Sequence, residues 1–285
     1  MKHLIVGGVA GGATAAARIR RIAETDEIIL FEKGDYISYA NCGLPYYIGG
    51  TIADRDKLFV QTPEAFGRRF DIDVRTRSEV LRVDPAAKTV TVKGPEGRTY
   101  EESYDKLLLS PGATPVRPPL PGIGLPGIFT LRNVADTDAI KQYLKAHDVK
   151  RALVIGGGFI GLEMAENLHD AGAEVTVVEM ADQVMAPIDY SMAAIVHQHL
   201  TEKGVRLRLG TAVTGFEQQG HGLEVAFASG EKDAADIVIL SIGVRPLNTL
   251  ATEAGLATGQ RGGIVVDEYL RTSAPDIYAV GDVIE

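Results

Sequence analysis

The stretch RALVIGGGFIGLEMAENLHDAGAEVTVVEM, residues 151–180, decides how the rest of the chain is read. An apolar run, Ala152 to Ile155, stops at three glycines. Apolar residues then recur with a helical period, and a second apolar run ends at Glu179. Strand, glycine turn, helix and strand in that order form one βαβ unit. Gly156, Gly158 and Gly161 complete a G-x-G-x-x-G after the strand and before the helix, the context in which this pattern binds a dinucleotide. Gly156 permits the tight turn, Gly158 lets a pyrophosphate approach the backbone, and Gly161 lets helix and strand pack closely. The phosphates would lie on the free N–H groups of the helix start. Glu179 can accept a ribose 2′-hydroxyl and repels a 2′-phosphate, and VVEMADQV, residues 177–184, offers no arginine to receive one. NADH is therefore expected over NADPH.

Working outward, the same plan occurs earlier in the chain. HLIVGGVAGGATAAARIRRIAE followed by EIILFEK again reads as strand, glycine turn, helix and strand. This loop, with Gly7, Gly8, Gly11 and Gly12, carries Val9 where the pattern has its second glycine, but Glu32 ends the following strand in the expected place. After each unit comes alternating sequence broken by turns, VLRVDPAAKTVTVKGPEGRTY and TGFEQQGHGLEVAFASGEK, which predicts a small antiparallel meander. Each meander leads into an apolar strand, YDKLLLSPGATP or ADIVILSIGVRP. The class is α/β, with two tandem Rossmann-like dinucleotide-binding domains. The stretch PVRPPLPGIGLPG, residues 115–127, is too rich in Pro and Gly for regular structure and marks a boundary. NVADTDAIKQYLKAH after it predicts a helix capped by Asn133. Two dinucleotide sites in one chain imply electron transfer between cofactors, most economically a nicotinamide and a flavin.

Composition narrows the rest. The 285 residues carry a net charge of −9, which argues against a nucleic-acid or anionic-membrane surface. The apolar start MKHLIVGGVAGGATAAA loosely imitates a signal peptide, but glycines interrupt it and arginines follow at once. No run reaches the length of a membrane span. A single cysteine, Cys42, excludes an internal disulfide framework and a cysteine-based metal site, no metal is expected, and a reducing cytosol suits it.

The chain resembles the two-dinucleotide-binding flavoproteins, the pyridine nucleotide–disulfide oxidoreductases, over its whole length. Besides the glycine loops, LLLSPGATPVRP, which contains Gly112, is similar to that family's motif at the exit of the FAD domain. TSAPDIYAVGDV, residues 272–283, is similar to its second flavin motif, in which Asp282 would bind the ribityl chain. The resemblance implies an FAD domain of residues 1–118 and 247–285, with an NAD(P)H domain, 119–246, inserted in it. It also implies that Phe159 covers the flavin until nicotinamide displaces it, with Glu163 near the same stacking site.

The lone cysteine refines the resemblance. SYANCGLPYYIGG, residues 38–50, is similar to the coenzyme A-disulfide reductases and their persulfide-reducing relatives. These imply a Cys42 thiolate held against the flavin. It attacks the substrate disulfide and forms a mixed disulfide with the substrate thiol, so no second cysteine is needed. If GLPYYIGG opens a short helix, Cys42 lies at its N-terminus, where a thiolate is favoured, and Asn41 and Ser38 could supply polar contacts. Thr14, Arg18 and Arg21 fall on one face of the first helix, and the resemblance gives these positions to coenzyme A. Arg68 and Arg69 are a second candidate pair, where a family relative instead has a lysine near Phe70.

The nearest rival is an NADH peroxidase or oxidase cycling through a sulfenic acid at the lone cysteine. Such relatives carry a histidine in the first glycine loop, where this chain has Ala10. A flavin-binding redox sensor whose thiol does not turn over is a rival of another class. The family also continues into an interface domain that makes a homodimer. The chain stops at GDVIE, so it is expected to be a fragmentary form lacking that domain and any rhodanese-like domain.

Overall fold

The computed structural model describes residues Met1–Glu285. The chain divides into two compact units, one of residues 1–40, 59–114 and 245–285, the other of residues 41–58 and 115–244. Each is built on a five-stranded parallel sheet. In the first the order is Asp73–Arg75, Glu27–Phe31, Lys2–Val6, Lys106–Leu109, Ile277–Ala279. In the second it is Arg206–Arg208, Glu174–Val178, Arg151–Ile155, Ile237–Leu240, Ile128–Phe129.

The central strands are apolar without alternation because both faces of a parallel sheet are covered. In the first unit Leu4, Val6, Ile29 and Phe31 join the core on one face, with Val83, Val90 and Val92 of the meander. Ile5, Ile28 and Leu30 point the other way, onto Ala13, Ala16 and Phe66 of the helices Gly11–Ile22 and Pro63–Phe70. The second unit repeats the meander side, packing Leu153, Ile155 and Val178 against Phe216, Leu223, Val225 and Phe227. Both meanders are antiparallel and three-stranded, and both shift register near the start of their first strand, at Val80/Arg82 and Val213/Gly215. The helix expected behind Asn133 runs Val134–Ala146. The Asn133 side chain accepts from the Asp136 N–H at 2.9 Å and the Asp136 carboxylate accepts from the Asn133 N–H in return, a reciprocal cap.

The units differ from the expected limits in one substantial way. Residues 41–58, read as part of the domain 1–118, pack within the second unit. The helix Leu44–Gly49 buries Leu44, Pro45 and Ile48 against the helices Phe159–Asp170 and Val134–Ala146. Nothing local in SYANCGLPYYIGG announces that choice, because it is made by apolar surfaces more than 80 residues away in the sequence. No helix is long and apolar enough to cross a membrane.

Candidate dinucleotide, thiol and anion sites

The two glycine loops share one construction. Gly7 has φ +99° and Gly156 φ +107°, values that only glycine adopts without strain. A Cβ at Gly7 would lie 2.1 Å from the Ser110 carbonyl oxygen, and one at Gly156 2.4 Å from that of Ser241. At the helix end of each loop a Cβ on Gly12 would meet the Gly7 oxygen at 1.8 Å, and one on Gly161 the Gly156 oxygen at 2.0 Å. These four glycines are demanded by close backbone approach within the protein. Gly8 and Gly11 are packed tightly as well, against Ile37 and Ser110.

Gly158 is different. It is exposed, and a Cβ built there meets no protein atom within 4 Å. The fold leaves that space open, as the approach of a pyrophosphate requires. The helices Gly11–Ile22 and Phe159–Asp170 both begin without a side-chain cap and without an acidic residue in the first turn, so their leading N–H groups remain suited to an anion. The residues present therefore fit a dinucleotide at each loop.

Glu32 and Glu179 follow the second strand of each unit, and each carboxylate holds its own loop. Glu32 accepts from the N–H of Gly8 at 2.9 Å and of Gly34 at 2.8 Å. Glu179 accepts from Gly157 at 2.6 Å and Ala181 at 2.8 Å. Sequence pattern assigned these residues only to a ribose. Their backbone bonds orient the carboxylate and still leave lone pairs for a hydroxyl. The strand beside Glu179 carries Arg208, but its guanidinium is engaged by Asp233 at 2.9 Å and Glu231 at 2.7 Å.

Phe159 begins its helix with 66% of its surface exposed. Glu163 lies one turn on, on the same face, and burial, with Glu166 adding, pushes its carboxyl above the usual range. Tyr46, on the helix packed against this one, has its phenol pushed up by Glu166, then by burial, Glu163 and Cys42. The segment carrying the cysteine thus belongs to the same local assembly as the helix of the second glycine loop.

Asn41 and Cys42 sit exposed in the 3₁₀ turn Asn41–Gly43. The short helix foreseen there runs Leu44–Gly49 with Gly43 at its N-cap, so the thiol stands just ahead of the helix and not in its first turn. Ser38 belongs to the first unit. It takes φ +46°, and its N–H donates to the Gly8 carbonyl at 3.0 Å.

In the first unit a cleft of about 540 Å³ brings Thr14, Arg18, Arg21 and Ser38 together with Arg69, over the apolar rings of Phe66 and Phe70. Arg68 does not line it; neighbouring positions on a helix point about 100° apart. Arg20 is excluded too, because its guanidinium ties the first helix to the carbonyls of Phe70 at 2.8 Å and Asp71 at 2.7 Å. Sequence reasoning missed Gln61 and Tyr39 on the cleft wall, since nothing in their neighbourhood carries a recognisable pattern. Gly112, with φ +75°, lies in the turn after Lys106–Leu109, and Asp282 is exposed in the turn after Ile277–Ala279. His197 accepts from the Val184 N–H at 3.1 Å and is structural.

The chain belongs to the pyridine nucleotide-disulphide oxidoreductase family, whose model matches residues 1–285. Its architecture is that of the two-dinucleotide-binding flavoproteins. Among curated proteins it is 38% identical over 284 residues to a coenzyme A disulfide reductase of Staphylococcus haemolyticus, covering 99% of this chain and 63% of that protein. Reduced CoADR-RHD of Bacillus anthracis superposes with a TM-score of 0.97 and 54% identity, over 100% of this chain and 51% of that one. An NAD-dependent persulfide reductase from A. fulgidus gives 0.96 and 39%, over 100% of this chain and 53% of that one. The chain spans just under two thirds of the curated relative and about half of each solved one.

Proposed function

We propose that the chain is the FAD- and NADH-binding part of an oxidoreductase that reduces coenzyme A disulfide, or a related persulfide or polysulfide, through Cys42. The observation that carries this reading is the exposed sole cysteine on a segment packed against the helix of the second glycine loop. The first unit, with Gly7, Gly8, Gly11, Gly12, Glu32, Gly112 and Asp282, would hold FAD. The second, with Gly156, Gly158, Gly161 and Glu179, would hold the pyridine nucleotide. When bound, these cofactors supply hydride and electron transfer from nicotinamide to the thiol. Phe159, exposed at the loop, is free to cover or uncover a ring, and Glu163 shares its face of the helix.

The Cys42 thiolate attacks one sulfur of the substrate disulfide, a Cys42–substrate disulfide forms, and the first substrate thiolate leaves. With the cofactors bound, two electrons and a proton from NADH would reduce the new bond, releasing the second substrate thiol and restoring the Cys42 thiolate. Asn41 stands beside the attacking sulfur. The arginine-lined cleft supports a phosphorylated substrate: Arg18, Arg21 and Arg69 supply cations, Thr14 a hydroxyl, and Phe66 and Phe70 an apolar floor. NADH is favoured over NADPH because Glu179 is fixed as an acceptor and Arg208 is already neutralised. A reducing cytosol keeps the lone thiol available.

Turnover with NADH should be compared in the parent and in Cys42→Ser, using coenzyme A disulfide, polysulfide and hydrogen peroxide as acceptors. Disulfide reduction that disappears with the thiol supports the proposal. Persistence in Cys42→Ser removes the thiol from the mechanism. Cys42-dependent peroxide reduction without disulfide reduction selects the peroxidase reading, which Ala10 in the first loop disfavours by offering no polar side chain. Reversible Cys42 oxidation without turnover selects the sensor.

A further inference from the structure

One face of the helix Val134–Ala146 supplies side-chain polar contacts to the segment that carries Cys42, and no sequence motif marks the residues that do it. Asp138 and Lys141 lie three apart on Val134–Ala146 and therefore share a face. The Lys141 ammonium donates to the carbonyls of Tyr47 and of Ile48, the latter at 3.3 Å. It also stands 4.3 Å from the centroid of the Tyr47 ring. Asp138 takes the Arg55 guanidinium side-on, with Nε to Oδ1 at 2.9 Å and Nη2 to Oδ2 at 2.7 Å. The two contacts hold the segment on either side of the turn at Gly50, which has φ +96°. A third constraint comes from Phe159–Asp170: a Cβ on Gly49 would lie 2.4 Å from Oδ1 of Asn167, so only glycine fits there.

These contacts matter because Leu44–Gly49 has six residues. A helix that short has no independent stability in water, and its last carbonyls need donors from elsewhere. Lys141 provides them for Tyr47 and Ile48. Cys42 stands two residues ahead of the first helical residue, so the direction of this helix sets the position of the thiol.

We infer that Lys141 and the Arg55–Asp138 pair are positioning residues for Cys42, holding the thiol in register with the helix of the second glycine loop. This rests on the proposed role of Cys42 only for its effect on turnover; the placement of the thiol can be measured without it. Burial, with Lys145 nearby, lowers the affinity of the Lys141 amine for its proton, and the two carbonyls and the Tyr47 ring compensate.

Because the chain has one cysteine, a trifluoroacetonyl tag on Cys42 reports that site alone by ¹⁹F NMR. Lys141→Met should shift or broaden the resonance and speed hydrogen exchange at the Gly50 and Ile52 amides, both of which donate to the Tyr46 carbonyl. Lys141→Arg should restore both. With untagged protein, kcat for a disulfide acceptor should fall about tenfold in Lys141→Met, the scale of a small misplacement of reacting atoms, while KM for NADH stays unchanged. Asp138→Asn should give a smaller change in the same direction and serves if Lys141→Met does not fold. A resonance and exchange pattern in these variants that superimposes on the parent would overturn the inference. A displaced resonance in a protein whose parent has no disulfide turnover would sustain the positioning role and reject the proposed reaction.

Discussion

The loop Gly7–Gly12 and the loop Gly156–Gly161 make the same bonds with different residues. The N–H of Gly7 donates to Phe31 and that of Gly156 to Val178, each at 2.8 Å. Ser38 and Met185, both at positive φ, donate to the carbonyls of Gly8 and Gly157 at 3.0 and 2.8 Å. Glu32 and Glu179 close the two loops from the neighbouring strand. The contrast lies at the third and fourth positions, Val9 and Ala10 in one, Gly158 and Phe159 in the other. Val9 lines the arginine-lined cleft, whereas Gly158 faces open space. The first and sixth glycines serve the βαβ unit itself; the third is free to differ according to what each unit binds.

Substitution of glycine by alanine tests that division most severely. Gly12→Ala and Gly161→Ala should each destabilise by about 3 kcal/mol or more, since the contacted atom is backbone and cannot move aside. Gly158→Ala should change thermal stability by about 1 kcal/mol at most, the scale of a cap exchange, while weakening NADH binding about tenfold (1.4 kcal/mol). Equal stability losses at Gly158 and Gly161 would break the contrast.

The arginine-lined cleft exists in the first unit, beside Val9, and its test is a pairing of neighbours. Arg69→Ala should raise KM for coenzyme A disulfide about tenfold, the loss of one charge-assisted contact, and leave KM for a small uncharged disulfide unchanged. Arg68→Ala should leave both KM values unchanged, because Arg68 does not line the cleft. Steady-state kinetics on both substrates decides it.

Two smaller effects sharpen the comparison at the far ends of the sheets. Tyr104 precedes the strand Lys106–Leu109 and is 4% exposed, where Ala235 precedes Ile237–Leu240. The Tyr104 hydroxyl is buried without a hydrogen-bond partner, and burial, with Asp84 and Asp276 nearby, pushes its pKa up to about 12. Tyr104→Phe should therefore stabilise by about 1 kcal/mol in denaturant titration.

Asp276 and Gly127 are also counterparts: both have positive φ, and each carbonyl accepts from the adjacent strand, at Leu107 and Val238. Asp276 pairs with Lys106 and Lys88, which lower its pKa to about 2. A depressed carboxyl stabilises the fold above its unfolded pKa of about 3.9, and that contribution fades as pH falls toward the folded value. The deficit in melting temperature of Asp276→Asn should therefore be constant near neutral pH and shrink progressively from about pH 5 down through about pH 2.

Much of this was legible in advance where the signal is local. Strands, helices and both meanders follow from apolar period and turn residues, and the Asn133 cap from four consecutive side chains. Thr14, Arg18 and Arg21 could be grouped because a regular helix brings positions three and four apart together. Arg20 lies within the same run, yet its bonds to Phe70 and Asp71 depend on a second helix 50 residues away in the sequence. The second role of Glu32 and Glu179, as acceptors for their own loops, was likewise hidden, because it requires the strand end and the glycine turn to be folded together.

The sequence by itself determined the two βαβ units, their glycine turns and the presence of a single thiol, since each depends on neighbours along the chain. Tertiary structure alone decided that residues 41–58 pack in the second unit, that Arg69 and not Arg68 joins the cleft, and that Lys141 and Asp138 hold the cysteine segment. A six-residue helix cannot choose its own orientation. Its place is set by distant surfaces that bury Leu44, Pro45 and Ile48 and by donors that satisfy its final carbonyls.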